Sequence, residues 1–134
     1  MASIWREVLI GAPSDSVWDA VRDVGALHTR LVPGFVVDTR LEQGARVVTF
    51  ANGTTVRELI LGIDEERRRV AWSAVGTAMT HHSGSFQVFD DGRGGTRGVW
   101  IADLLPDEMA PAVAAMMEHG LAAMKGAFES RRLI

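Results

Sequence analysis

Successive segments between residues 35 and 104 alternate apolar and polar side chains with a period of two. Such alternation is typical of strands with one buried face, and turns rich in Gly, Asn and Asp separate the segments. The predicted strands are Phe35–Leu41, Ala45–Phe50, Thr55–Ile63, Arg68–Val75, His81–Phe89 and Thr96–Leu104. Because the strands are short and their connections are shorter still, they predict an antiparallel meander.

The residues before this meander predict one further strand and a short helical region. Ser3–Ile10 is rich in β-branched and large apolar residues and ends at a Gly-Ala-Pro sequence. Ser14 or Asp15 can cap a helix there, and Ala26–Leu31 predicts a second, weaker helical turn. The chain therefore begins with a seventh strand and two short helices.

A long amphipathic helix is predicted after the last strand. Acidic residues at its start and Arg131 at its end suit the helix dipole, and Pro111 is tolerated only in the first turn. One face carries apolar side chains at helical spacing, namely Val113, Met116, Met117, Gly120, Leu121, Met124 and Phe128. Because such a helix needs a sheet to lie on, residues 1–134 predict a single α+β domain.

The composition excludes several other classes of protein. With 47% hydrophobic and 23% charged residues, the 134-residue chain is too apolar to be disordered. A net charge of −3 argues against a nucleic-acid partner, and no apolar run is long enough to span a membrane. The chain has no Cys, and its first residues predict no secretory signal. We therefore expect a cytoplasmic protein without metal or cofactor; a homodimer is compatible with the sequence, although no coiled coil predicts one.

The alternation places a histidine on the inner face of the predicted sheet. His82, Gly84 and Phe86 share the apolar face of their strand, whereas His81 points outward. Glycine at position 84 is expected to leave open volume beside the His82 imidazole, which could then bind a ligand or transfer a proton. The alternative is a half-buried His82 satisfied by a backbone carbonyl. Adjacent histidines on a strand face opposite ways, so the pair predicts no metal site.

Large apolar side chains share this inner face and the facing side of the helix. The most prominent are Trp72, Trp100, Met117 and Met124. Each can be ordinary core material or part of a pocket wall. Methionine adapts to irregular shapes and would suit a lid over a variable apolar ligand.

The order of elements and three local sequences resemble the START-like superfamily, also called Bet v 1-like or SRPBCC. The polyketide cyclase/dehydrase-like branch is the most similar. The three sequences are Val8–Asp23, with Ala-Pro before Val-Trp, Asp64–Trp72 and Gly95–Trp100. None of them is a catalytic signature, so the resemblance predicts a fold rather than a reaction.

The resemblance implies a helix-grip fold, in which a seven-stranded antiparallel sheet curves around the C-terminal helix. Proteins of this superfamily usually keep a cavity between sheet and helix for a lipid, polyketide, hormone or other apolar molecule. Its members include carriers, hormone receptors, aromatase/cyclases and chaperone activators. The expected partner is therefore a small hydrophobic molecule.

Glu58 is the residue on which pattern and resemblance disagree. Alternation with Leu59, Leu61 and Ile63 slightly favours Glu58 on the outer, solvated face. The hairpin from Glu58 to Trp72, however, is similar without a gap to that of the plant abscisic acid receptors, in which the matching Glu and aromatic line the pocket. The receptors' Ser-Gly-Leu-Pro gate motif is absent, so a hormone-receptor function is not implied.

An inward Glu58 would have a defined relation to His82. A carboxylate in an apolar cavity suits ligand anchoring or acid/base chemistry. The two side chains would lie on strands that flank the strand of Trp72, about 10 Å apart. That separation is too large for a direct catalytic dyad and suits contacts with two ends of one ligand.

Three functions are compatible with these sequence features and with the resemblance. The first is binding of a small hydrophobic ligand, and the predicted ligand-binding residues are Glu58, Trp72, His82, Phe86, Trp100, Met117 and Met124. The second is a polyketide aromatase/cyclase that uses Glu58 or His82 as acid/base. The third is a protein-interaction module of the chaperone-activator or ribosome-associated type, which would have a filled core and an exposed apolar patch.

Overall fold

The computed structural model describes residues 1–131 and confirms the predicted order of elements. The strands are β1 (Ala2–Ile10), β2 (Val36–Glu42), β3 (Ala45–Phe50), β4 (Thr55–Asp64), β5 (Arg69–Val75), β6 (His81–Asp90) and β7 (Thr96–Leu105). The helices are α1 (Ser14–Arg22) and α2 (Ala110–Arg131); a π-helical turn over Leu27–Leu31 follows α1, and a 3₁₀ turn over Asp107–Met109 precedes α2. Each strand boundary lies within one residue of its prediction.

The seven strands form one antiparallel sheet in the order β1-β7-β6-β5-β4-β3-β2. Strands β2 to β7 follow one another as a meander, and β1 joins β7 along its whole length, from Ala2 opposite Leu104 to Ile10 opposite Thr96. The helical residues between β1 and β2 connect the two edges of the sheet. α2 packs along β1 and against the π-helical turn. The architecture is the helix-grip fold that the sequence predicted.

The start of α1 differs from the prediction that Ser14 or Asp15 caps it. Pro13 occupies the cap position, and no side chain caps the helix. Both predicted caps instead contact Arg68 in the β4–β5 hairpin: the guanidinium donates to Ser14 Oγ at 3.3 Å and to Asp15 Oδ1 at 2.6 Å. The polar side chains at this helix start therefore attach α1 to the hairpin.

The pairing of β4 shows which way Glu58 points, and the strand contains one irregularity beyond it. The register of β4 against β5 shifts between Ile60, which faces Trp72, and Gly62, which faces Ala71. A bulge adds a residue and reverses the alternation beyond it. As a result Ile63, opposite the buried Val70, lies on the same face of the sheet as Glu58. The alternation that favoured an outward Glu58 is wrong because Leu61 and Ile63, which it placed inside, are 61% and 41% exposed. Glu58, opposite the lining residue Ala74, faces the cavity.

Inward-facing glycines make room for aromatic rings. A Cβ atom at Gly84 would lie 2.7 Å from the indole of Trp72, and one at Gly98 would lie 2.5 Å from the ring of Phe86. The expectation that Gly84 leaves open volume beside His82 is therefore wrong, since the Trp72 ring occupies that space. Rings that lie against glycine backbone extend less far toward α2 than they would above a side chain.

Candidate functional site

The sheet and α2 enclose a cavity of about 830 Å³. Its walls come from the inner face of β3 to β7, from α2 and from the π-helical turn. Most of the lining is apolar. The polar side chains that line its interior are Arg46, Glu58, Thr77 and His82, and the exposed Asn52, Thr54 and His119 lie at the rim.

Most of the predicted site residues lie in this wall. The lining includes Glu58, Trp72, His82, Phe86, Trp100 and Met124. Contact of these side chains with a ligand stays a prediction, but their convergence on one volume is a property of the fold.

Met117 is the exception among the predicted site residues. Its side chain is fully buried against Ile4, Ala102 and Leu104 in a core cluster beneath the first half of α2. Successive residues of a helix are rotated by about 100°. That rotation turns Met117 toward β1 and β7, whereas the half-buried Met116 lines the cavity. Met117 therefore supports the helix and does not line the pocket.

A buried ion pair between Arg46 and Glu58 holds the carboxylate in the cavity wall. The two residues are opposite each other on β3 and β4, and Arg46 Nε donates to Glu58 Oε1 at 2.8 Å. Their side chains are only 4% and 11% exposed. Arg46 also donates to the carbonyl oxygen of Val24, at 3.4 Å. Since a buried carboxylate needs a counter-charge, this pairing explains why Glu58 is tolerated among apolar side chains.

The sequence interpretation did not include Arg46, although it did recognise the turn between the strand of Arg46 and the strand of Glu58. Phe50 and Thr54 are joined by a backbone hydrogen bond across the turn that contains Asn52-Gly53. A hairpin that closes at this turn has a fixed register, and that register sets Arg46 opposite Glu58. The sequence shows the turn but not this register, because a two-residue Asn-Gly turn would have set Arg46 opposite Leu59.

Arg46 also covers part of Trp72. The guanidinium carbon lies 5.2 Å from the centroid of the indole, within the range of a cation–π contact. Trp100 approaches the same indole edge-on, with ring centroids 6.3 Å apart and an interplanar angle of 64°. Because Gly84 lies beneath it as well, Trp72 is a fixed part of the wall with little ring surface left for stacking on a ligand.

His82 is half-buried and belongs to the same row of side chains as Glu58. Glu58 is opposite Ala74, and Ser73 is opposite Ser83, so His82 lies one strand beyond Ala74. Two strand spacings separate the backbone positions of Glu58 and His82 by about 10 Å. No hydrogen bond within residues 1–131 holds the His82 ring, so the predicted backbone carbonyl partner is not found.

Burial lowers the pKa of His82 below its ordinary value; the charge of the Glu58 carboxylate opposes this shift, and the charge of His81 adds to it. The lowered pKa favours the uncharged form of the imidazole. A neutral imidazole has one donor and one acceptor nitrogen, so it can bind a hydroxyl or a carbonyl group.

The lowered pKa of His82 has a consequence for stability. The unfolded chain binds the His82 proton at higher pH than the folded chain does, so this contribution to stability is complete above about pH 6.5 and is lost as the pH falls below it. We expect the free energy of unfolding to fall on acidification from pH 7.5 to pH 5.0, measured by urea denaturation, and to fall less in His82→Gln. The exposed His81→Gln is the control. Equal losses in the wild type and His82→Gln would contradict the assignment.

Within residues 1–131, no three His, Cys, Asp or Glu side chains come close enough together to hold a metal ion. The ionisable side chains inside the cavity are a neutralised pair and a neutral imidazole. Such groups can anchor a polar end of a ligand or move a proton.

A seven-stranded antiparallel sheet around one long helix, with an apolar cavity between them, defines the chain as a helix-grip protein. The sequence profile of the family described as polyketide cyclase/dehydrase and lipid transport matches residues 1–129. The chain belongs to this family, which lies within the START-like, SRPBCC superfamily.

Solved structures of similar fold agree with this assignment. The protein XoxI from Bacillus cereus is 18% identical, with 98% of this chain and 99% of that chain covered and a TM-score of 0.85. The di-domain ARO/CYC protein BexL of the BE-7585A biosynthetic pathway is 23% identical, with coverage of 96% and 47% and a TM-score of 0.82. A START superfamily protein from Mycobacterium smegmatis is 14% identical, with coverage of 96% and 97% and a TM-score of 0.77. At these identities the likeness shows the fold alone.

A search of the curated proteins found no significant match to the sequence. Neither helix in the described part of the chain combines the length and apolar character that crossing a bilayer requires.

Proposed function

We propose that this protein binds a small apolar molecule in the cavity between its sheet and α2. The observation that carries the proposal is the cavity itself, about 830 Å³ of space with a mainly apolar lining, which is within the size range of small-molecule sites. A core without a ligand would normally close such a volume with side chains. The family's description, which includes lipid transport, supports the same reading.

The charges in the cavity favour an uncharged ligand. Arg46 and Glu58 neutralise each other at 2.8 Å, and burial keeps His82 neutral. A charged ligand would lose its hydration shell without gaining an unpaired counter-charge in the interior. Hydroxyl and carbonyl groups on an apolar skeleton meet these side chains at lower cost.

The length of the cavity favours an elongated ligand. Side chains of α2 from Ala112 to Met124 contribute to the lining. At 1.5 Å per residue this stretch of helix is about 18 Å long. A fused-ring molecule or a medium-length acyl chain fits such a dimension, whereas a single small ring would fill only part of it.

Native mass spectrometry of freshly purified protein tests the proposal. We expect a fraction of the protein to carry an extra mass of a few hundred daltons, because an apolar cavity of this size retains hydrophobic molecules from the cell. Organic extraction should remove this mass, and N-phenyl-1-naphthylamine, a neutral fluorescent probe, should then bind. Protein that carries no small molecule and does not bind the probe would contradict the proposal.

The open volume argues against the interaction-module hypothesis, which required a filled core. The cytoplasmic location and the possibility of a homodimer stay predictions.

An enzymatic function is the second candidate, and the family's description as cyclase/dehydrase favours it. Within the cavity, His82 is better suited than Glu58 to accept a proton. Its imidazole is neutral, and no hydrogen bond in the described chain engages it, whereas Glu58 Oε1 is taken by Arg46. Such an enzyme would hold a poly-β-ketone chain while His82 removes a proton from it. This candidate differs from the first in requiring turnover.

A further inference from the structure

The Arg46 side chain reaches from β3 to the middle of the cavity wall. Its guanidinium is hydrogen-bonded to Glu58 on β4 and lies 5.2 Å from the ring centroid of Trp72 on β5. Glu58 is opposite Ala74, which shares the inner face of β5 with Trp72 and lines the cavity. The guanidinium therefore borders the part of the cavity that lies above the small side chain of Ala74.

Arg46 has more hydrogen-bond donors than its protein partners can accept. A guanidinium carries five N–H groups, and one carboxylate accepts at most about two of them side by side. Among residues 1–131 the partners of the Arg46 side chain are the Glu58 carboxylate, at 2.8 Å, and the carbonyl oxygen of Val24, at 3.4 Å. About two N–H groups therefore remain without a protein acceptor.

The remaining donors of Arg46 need a partner inside the cavity. The Arg46 side chain is only 4% exposed and belongs to the cavity lining, so bulk water hardly reaches it. An unpaired donor in an apolar surrounding is costly, and more so when it belongs to a charged group. A purely hydrocarbon ligand would leave these N–H groups unpaired, whereas a ligand with an oxygen atom at this place would pair them.

We propose that Arg46, through these N–H groups, binds an uncharged carbonyl oxygen of the ligand above Ala74, and so makes the cavity selective for carbonyl compounds over hydrocarbons of the same shape. A carbonyl oxygen brings no proton that would itself need an acceptor. It also avoids the cost of burying a second anion beside Glu58. The inference rests on the proposed function, because it presupposes a ligand in the cavity.

Binding of two naphthalene probes to the full chain tests this role. 6-Propionyl-2-dimethylaminonaphthalene carries a ketone, and N-phenyl-1-naphthylamine is an amine without a carbonyl group. The variant Arg46→Met/Glu58→Leu removes the donors without leaving a buried charge. We expect its affinity for the ketone to fall at least about tenfold relative to its affinity for the amine. Fluorescence titration measures both affinities, and thermal unfolding shows whether the variant is folded.

Isotope-edited infrared spectroscopy of the bound ketone tests the same contact in the wild type. A hydrogen bond from a guanidinium lowers the carbonyl stretching frequency, so the band of the bound probe should lie below its position in cyclohexane. We expect this shift to be lost in Arg46→Met/Glu58→Leu. It should persist in His82→Phe, which removes another N–H donor of the cavity interior. If the double variant is not folded, the wild type and His82→Phe decide the question.

Arg57→Met/Glu42→Leu is the matched control, since it makes the same changes in an exposed ion pair outside the cavity wall. We expect the ratio of its two affinities to stay within about threefold of the wild type. A bound ketone with an unshifted band, loss of the shift in His82→Phe, or an unchanged ratio in Arg46→Met/Glu58→Leu would overturn the role of Arg46 and leave the proposed function intact. Failure of the wild type to bind either probe would overturn both.

Discussion

Replacement of Arg46 by methionine should lower the free energy of unfolding by about 3–5 kcal/mol, because it leaves the carboxylate of Glu58 buried without its partner. The side chains of Arg46 and Glu58 are 4% and 11% exposed, so water cannot take over the role of the guanidinium fully. The variant also loses the cation–π contact with Trp72. Chemical denaturation at pH 7.5 measures the loss.

The double variant Arg46→Met/Glu58→Leu separates the cost of an orphaned charge from the worth of the pair. We expect its stability to return to within about 1 kcal/mol of the wild type, since apolar side chains of similar volume often replace a buried ion pair without loss. The exposed pair Arg57–Glu42, with a 3.0 Å contact, is the control. Arg57→Ala should cost less than about 1 kcal/mol. If Arg46→Met lowers the free energy of unfolding no more than Arg57→Ala does, burial of Glu58 does not depend on its pairing with Arg46.

Replacement of Ala74 by tryptophan should weaken binding of an apolar ligand at least about 100-fold, equivalent to about 2.8 kcal/mol. Ala74 is half-buried in the cavity wall. It lies between Glu58 on one neighbouring strand and His82 on the other. An indole at this position would project into the space that the ligand needs. Titration with N-phenyl-1-naphthylamine measures the effect, and thermal unfolding of the ligand-free variant shows whether the fold is retained.

Ala71→Trp is the matched control on the same strand. Ala71 is half-buried on the other face of the sheet, opposite Ser85 and outside the cavity wall. The same substitution there should leave the affinity for the probe within about threefold of the wild type. Undiminished binding by Ala74→Trp would mean that the probe binds somewhere other than this cavity.

The fold was predictable because local patterns were consistent along the chain. Period-two segments between turns became strands with limits within one residue of the prediction, and the apolar stripe of α2 became its buried face. Inward placement of His82, Phe86 and Trp100 also followed from alternation, since β6 and β7 pair without a register shift. Uninterrupted alternation is sufficient to assign a face.

The local failures have identifiable physical causes. Alternation misplaced Glu58 because the apolar Leu61 and Ile63 were expected inside the sheet, whereas they are exposed on β4. Space beside Gly84 was expected to be empty, but a ring from the neighbouring strand fills it. Met117 was assigned to the pocket because a helical stripe shows which side of a helix is apolar, without showing which part of that side meets the sheet and which part meets a cavity.

The sequence alone therefore determined the order of the elements, the buried face of most strands and of α2, and the family of the protein. The elements and their buried faces depend on periodicities of two and 3.6 residues, which are properties of each element by itself. The family followed from the resemblance of three local sequences and of the order of the elements. Only the tertiary structure decided that Arg46 neutralises Glu58 inside the cavity, and that Phe35 and Trp100 pack against Gly120 of α2. Those features depend on the register between strands and on the distance between sheet and helix, and both are set by packing between residues far apart in the chain.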